Sequence, residues 1–155
     1  MFKAVIFAFF ISTAFGAVVY AADVAITIDD PKVTETPLVS PQERDSKIRE
    51  ALLKAHVKAA LFVCGMRVDN SEGKALLRAW NKDGHLLGNH SYFHKNFNSS
   101  KVDFDTYAKD FSRGDQIVTK LPGFQKFFRF PFLKEGDSQT KRDHSLVSPV
   151  IAMVP

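Results

Sequence analysis

Cysteine is almost absent from this chain of 155 residues: Cys64 stands alone, which excludes an internal disulfide framework and any cysteine-rich zinc site. Blocks of basic charge are absent too. Lys and Arg number 21 against 17 Asp and Glu, a formal net charge of +4 at pH 7 that is spread along the sequence. A nucleic-acid binder would concentrate such charge in a stripe, so no nucleic-acid partner is expected. There is no internal repeat and no low-complexity tract. With 25% charged residues, 45% apolar residues and seven scattered prolines, disorder throughout, a collagen-like repeat and a long coiled coil are all excluded. What remains is one globular domain, of a size at which roughly two-thirds of the unfolded surface is buried on folding.

Long apolar runs are also scarce, apart from the one that opens the chain. Lys3 is the only charge before Asp23, and Ala4 to Tyr20 is rich in Phe, Ile, Val and Ala before the small pair Ala21-Ala22. With Val19 and Ala21 at the two small-residue positions, this is the layout of a secretory signal peptide cleaved after Ala21. The run is about 17 residues, the lower limit for a membrane span, and no positive cluster follows it, so no stable membrane anchor is expected. The expectation is a signal segment over 1–21 and an exported mature protein, periplasmic or secreted.

From Val24 onward the pattern alternates. Val24 to Ile28 (VAITI) reads as a buried strand stopped by Asp29-Asp30-Pro31. Ser40-Pro41-Gln42-Glu43 is a helix start with its cap, first-turn proline and Glu three residues on, and the helix should end near His56. Ala59 to Val63 (AALFV) is a second strand. Asn70 or Ser71 caps a second helix carrying Leu76, Leu77 and Trp80 on one side, with Gly84 just past its end. His85 to Asn89 gives a third strand, Asp103 to Leu121 a third helix closed by Pro122-Gly123, and Lys126 to Phe130 (KFFRF) a fourth strand cut by Pro131. Three consecutive βα units predict an α/β fold with parallel strands and right-handed crossovers.

In such folds ligands gather at the carboxyl ends of the strands. Those ends carry Asp29-Asp30, Cys64-Gly65, His90-Ser91-Tyr92-Phe93-His94 and Arg129. Two histidines four residues apart and an aspartate can hold one metal ion and leave a position for water, the shape of a hydrolytic zinc site. Adjacent aspartates on a turn point different ways, so one can bind metal while the other accepts a proton. Taken singly, each segment has a plain reading: HxxxH as a solvated pair, Asp-Asp-Pro as a turn, Arg129 as a surface charge. Cys64, His56 and His85 read as structural residues, and Trp80 with the run Phe124 to Phe132 reads as core.

TIDD at Thr27 to Asp30, HSYFH at His90 to His94 and RFPF at Arg129 to Phe132 resemble, in order, three motifs of the polysaccharide deacetylase family, carbohydrate esterase family 4. The resemblance runs over about Val24 to Asp143 and includes ALFVCG and DGHLLGNHS. It implies a distorted (β/α) barrel, with Asp29 as general base and Asp30, His90 and His94 as ligands of a divalent metal, most often zinc. Ser91 would brace the histidine loop, Arg129 would orient Asp29, and the Phe132 N–H would help bind the acetyl oxygen as it becomes an oxyanion. The implied substrate is an N-acetylated polysaccharide or oligosaccharide, and the products are acetate and an amine.

The sequence also departs from that family. Pro31 stands where Gly is common, and Phe132 where Tyr is common. The Asp-Trp segment and the Leu-x-His segment that supplies the general acid do not follow Arg129, and the last residues, HSLVSPVIAMVP from His144, read unlike the helix that Gly136 to Asp143 begins. The expectation is therefore a deacetylase domain over 22–143 forming a partial barrel that lacks its C-terminal strands, with a divergent tail over 144–155. A truncated remnant that binds metal or glycan without turnover is the alternative.

Overall fold

The structure is a computed structural model that describes residues 24–136. The expected signal segment 1–21, the helix start beyond Gly136 and the tail 144–155 lie outside the described residues. In chain order the elements are β1 (Ile26–Asp29), α1 (Pro41–Lys54), β2 (Ala59–Val63), a 3-10 turn (Gly65–Arg67), α2 (Ser71–Lys82), β3 (Leu86–Asn89), α3 (Phe104–Val118), β4 (Phe124–Phe128) and a second 3-10 turn (Pro131–Leu133). The strands form one parallel sheet in the order β1-β2-β3-β4. This is the α/β fold expected from the alternation, with four strands among the described residues.

Each helix begins where its sequence says it should. The Ser40 hydroxyl accepts from Glu43 N at 3.1 Å, Asn70 Oδ1 from Gly73 N at 2.7 Å, and Asp103 Oδ1 from Thr106 N at 2.8 Å. Caps of this kind are each worth about 1 kcal/mol, because they satisfy N–H groups the helix cannot. Past α2, Gly84 turns the chain at φ 81°, a left-handed value that a glycine adopts without strain. Period-two alternation on β2 sends Ala59, Leu61 and Val63 into a core with Leu77, Trp80, Leu87 and Val118. Sequential strand order with crossovers of one hand puts the helices on that face. On the opposite face Leu86 stays 36% exposed.

The strand ends differ from the sequence reading in detail. β4 runs over Phe124–Phe128 rather than Lys126 to Phe130, because Leu87 N donates to Gly123 O and Leu87 pairs with Phe124. A register shift then places Asn89 opposite Phe128, so Arg129 stands just past the strand, its N–H still donating to Asn89 O. β1 begins at Ile26, since Val24 is 80% exposed. β3 begins at Leu86 because His85 is diverted: its N–H donates to Trp80 O and its Nδ1 accepts from Ala59 N. α1 stops at Lys54, followed by His56 in the left-handed region, and α3 stops at Val118. Trp80, Cys64 and His85 are buried as structural residues. Of the Phe run, Phe128 and Phe130 are core, packed with Phe97 and Tyr107, while Phe132 is 58% exposed.

Candidate metal and catalytic site

The carboxyl ends of the strands do converge. Thr27 and Asp29 lie on one face of β1, and Arg129, arriving from the end of β4, reaches them over the intervening strands. Its Nη1 donates to Asp29 Oδ1 at 2.6 Å and to Thr27 Oγ1 at 3.1 Å, and its guanidinium carbon lies 4.1 Å from the centre of the Phe62 ring. The apolar ring beneath and the paired acceptors at one end leave the guanidinium little freedom. Asp29 Oδ2 faces His90, 4.0 Å from its Nε2.

Asp30 turns the other way. Its φ is 57°, and its carboxyl lies beside His94, with Oδ2 3.3 Å from His94 Nε2. Arg67, from the first 3-10 turn, brings Nε to 3.1 Å from Asp30 Oδ1. That approach is off the hydrogen-bonding line, and both atoms are buried without a hydrogen-bond partner. His90 Nδ1 lies 2.7 Å from the Arg129 carbonyl oxygen, an acceptor, so Nδ1 is the nitrogen that carries hydrogen and Nε2 presents a lone pair. Burial holds the His90 ring below its ordinary 6.5, against the opposing pull of the Arg129 carbonyl and of Asp29 and Asp30. A neutral ring is the form that ligates. His90, Asp30 and His94 thus offer ligand atoms all within 4.8 Å of one another. The Asp30 carboxylate beside His94 and the freed His90 nitrogen fit a divalent cation, and two imidazoles with one carboxylate suit zinc.

The rim is built from unusual backbone. Asp30, Ser91, His94 and Phe132 are non-glycine residues with φ between 56° and 62°, and such conformations cost roughly 1–3 kcal/mol each and persist only where the surroundings enforce them. Ser91 Oγ accepts from His94 N at 3.2 Å, as expected of a brace. The Phe132 ring meets His94 edge-on at 4.6 Å. Sequence reasoning missed Arg67 and Thr27. Thr27 carried a usable signal, being two residues before Asp29 and hence on the same strand face; Arg67 carried none, since only the turn after β2 brings it to Asp30.

Residues 19–146 match the family model described as polysaccharide deacetylase. This chain belongs to the polysaccharide deacetylase family. It is 31% identical over 130 residues to a peptidoglycan-N-acetylglucosamine deacetylase of Bacillus cereus, an alignment covering 83% of this chain and 42% of the relative. It is 30% identical over 115 residues to the chitin deacetylase of Colletotrichum lindemuthianum, covering 71% of this chain and again 42% of the relative. A crystal structure of a peptidoglycan N-acetylglucosamine deacetylase superposes with a TM-score of 0.60 at 26% identity, over 83% of this chain and 52% of that one. The chain therefore spans less than half the length of these curated relatives and about half of that structure. Both the family resemblance carried by the motifs and the α/β fold it implied are borne out.

Proposed function

We propose that this chain is a metal-dependent hydrolase that removes N-acetyl groups from a carbohydrate polymer, with Asp30, His90 and His94 holding zinc and Asp29 as the base. The observation that carries this reading is the joining of two assemblies at one rim: the Arg129–Asp29 pair, and the Asp30, His90 and His94 cluster beside it. Zinc bound there would polarise the acetyl carbonyl and lower the pKa of a water molecule. Asp29 is held through Oδ1 by Arg129, which leaves Oδ2, the oxygen on the His90 side, to take the proton from the attacking water. The Phe132 N–H, carried on a left-handed turn next to His94, is the candidate donor to the developing oxyanion. Collapse of the tetrahedral carbon breaks its bond to nitrogen, which takes a proton from protonated Asp29 or from solvent, and releases acetate and the sugar amine. The names of the two curated relatives support a glycan substrate, peptidoglycan for one and chitin for the other. The signal-like N-terminal segment supports export to where such polymers lie.

One observation favours a second reading, a metal- or glycan-binding protein without turnover. The departing amine needs a proton, and among the described residues the histidines other than His90 and His94 lie away from the rim: His85 is packed against Trp80 at 4.8 Å and His56 follows α1. Lack of a general acid costs about 10²- to 10⁴-fold in rate. Acetate release from N-acetylated chitin and peptidoglycan oligomers, with and without added zinc, separates the two. Zinc-dependent release that Asp29→Asn abolishes is the expected result. Zinc binding with no release on any oligomer would overturn the hydrolase in favour of the binder.

A further inference from the structure

We propose that Asp110, a buried residue of α3, is a positioning residue for the two histidines: its side chain fixes the bend of the loop between them so that both rings meet Asp30. The inference rests on the metal reading above. Every main-chain N–H from His90 to His94 has an acceptor. His90 N donates to Val63 O at 3.0 Å, Ser91 N to Asn89 Oδ1 at 2.8 Å, Tyr92 N to Asp110 O at 3.1 Å, Phe93 N to Asp110 Oδ1 at 2.7 Å, and His94 N to Ser91 Oγ at 3.2 Å. One residue supplies two consecutive acceptors, one from its main chain and one from its side chain, at the middle of the loop.

The bend is one the chain would not hold unaided. Ser91 and His94 sit at φ 62° and 56°, on either side of the two amides that Asp110 receives. Losing the Phe93 anchor would let those two angles relax and swing His94 relative to His90. Stability alone gives no reason for this residue. Asp110 is 3% exposed and its second oxygen, Oδ2, is buried without a hydrogen-bond partner, an arrangement that costs free energy which an apolar side chain would avoid. What the carboxyl provides is an acceptor of fixed reach for one amide. The rest of α3 is shaped for the same contact, since Asn89 Nδ2 donates to Phe111 O at 3.0 Å and to Asp115 Oδ1 at 2.8 Å, beside the close approach of Gly114 to Ser91.

The test uses the full 155-residue chain, with zinc as the probe and two readouts: zinc affinity by competition with a chelator, and hydrogen exchange at individual amides by NMR in the absence of metal. Asp110→Ala should weaken zinc binding by about 10- to 100-fold, while Asp110→Asn, which keeps an oxygen at the Oδ1 position, should stay within about threefold of the parent. In Asp110→Ala the Phe93 amide should exchange at least about tenfold faster relative to that of Tyr92, whose acceptor is the main chain and survives the change. Leu77→Ala, a truncation in the core between α2 and the sheet that removes no hydrogen bond to the loop, should lower stability without weakening zinc binding. If Asp110→Ala does not fold, Asp110→Thr, one bond shorter than the reach required, replaces it with the same expected pattern. Unchanged zinc affinity in Asp110→Ala, equal weakening by Leu77→Ala, or parallel loss of protection at Tyr92 and Phe93 would overturn the proposal. Should the parent bind no zinc, the metal reading fails, and the exchange ratio alone decides Asp110.

Discussion

Asp29 and Asp30 are neighbours in sequence with different partners, because the left-handed turn at Asp30 rotates its carboxyl away from Arg129 and toward His94 and Arg67. Replacing Asp30, His90 or His94 by Ala should therefore weaken zinc binding at least about 30-fold, roughly 2 kcal/mol, as titration calorimetry would record. Asp29→Asn should change it no more than about threefold while acetate release falls on the order of 10²- to 10⁴-fold. Equal loss of zinc on changing either aspartate would refute this division of labour. Arg67 would compete with a bound ion for Asp30, so Arg67→Gln should tighten zinc binding about three- to tenfold. His85 supplies a pH dependence of stability. Its folded pKa is lowered from 6.5, first by burial and then by Lys58, and its Nδ1 accepts from Ala59 N, so the folded state favours the neutral ring. The unfolded chain then binds more protons, and stability that is full above 6.5 is lost as pH falls below it. Urea midpoints should show this loss, and His85→Asn, which keeps an acceptor for Ala59, should flatten it.

At the scale of elements, α3 both covers the sheet and carries the brace of the histidine loop. A Cβ at Gly114 would stand 2.5 Å from Asn89 Oδ1 and 2.7 Å from the Ser91 carbonyl carbon. Ala is worth about 1 kcal/mol over Gly in a helix, but a backbone clash of this size costs about 1–3 kcal/mol and cannot be relieved by a flexible side chain. Gly114→Ala should therefore lower the thermal midpoint and weaken zinc binding together, whereas Ser40→Ala, which removes the cap of α1 and no contact to the histidine loop, should cost about 1 kcal/mol of stability and leave zinc affinity unchanged. The caps at Ser40 and Asn70 were legible in the sequence because each is a contact across three residues. The start of β4 was not. Alternation in Phe124 to Phe130 fits more than one register, and the Leu87 N–H on Gly123 O, together with the shift between Leu87 and Asn89, chooses between them.

For the molecule as a whole, the helices cover one face of the sheet while the other leaves Leu86 in contact with solvent, and β1 and β4 are edge strands among the described residues. Exposed apolar sheet with unpaired edges promotes association. The 155-residue chain should self-associate at tens of micromolar by sedimentation velocity, and Leu86→Lys should reduce it; a parent that remains monomeric at about 100 μM would refute the expectation. The order of strands and helices, the helix starts and the presence of two aspartates, two histidines and an arginine at successive strand ends were determined by sequence alone, since periodicity and capping act between residues a few positions apart. The tertiary structure decided which oxygen of Asp29 meets Arg129, 100 residues away, that Arg67 reaches Asp30, and that Asp110 and Asn89 hold the histidine loop. Those contacts join residues that only strand register and the packing of α3 bring together, and no local pattern in the chain encodes either.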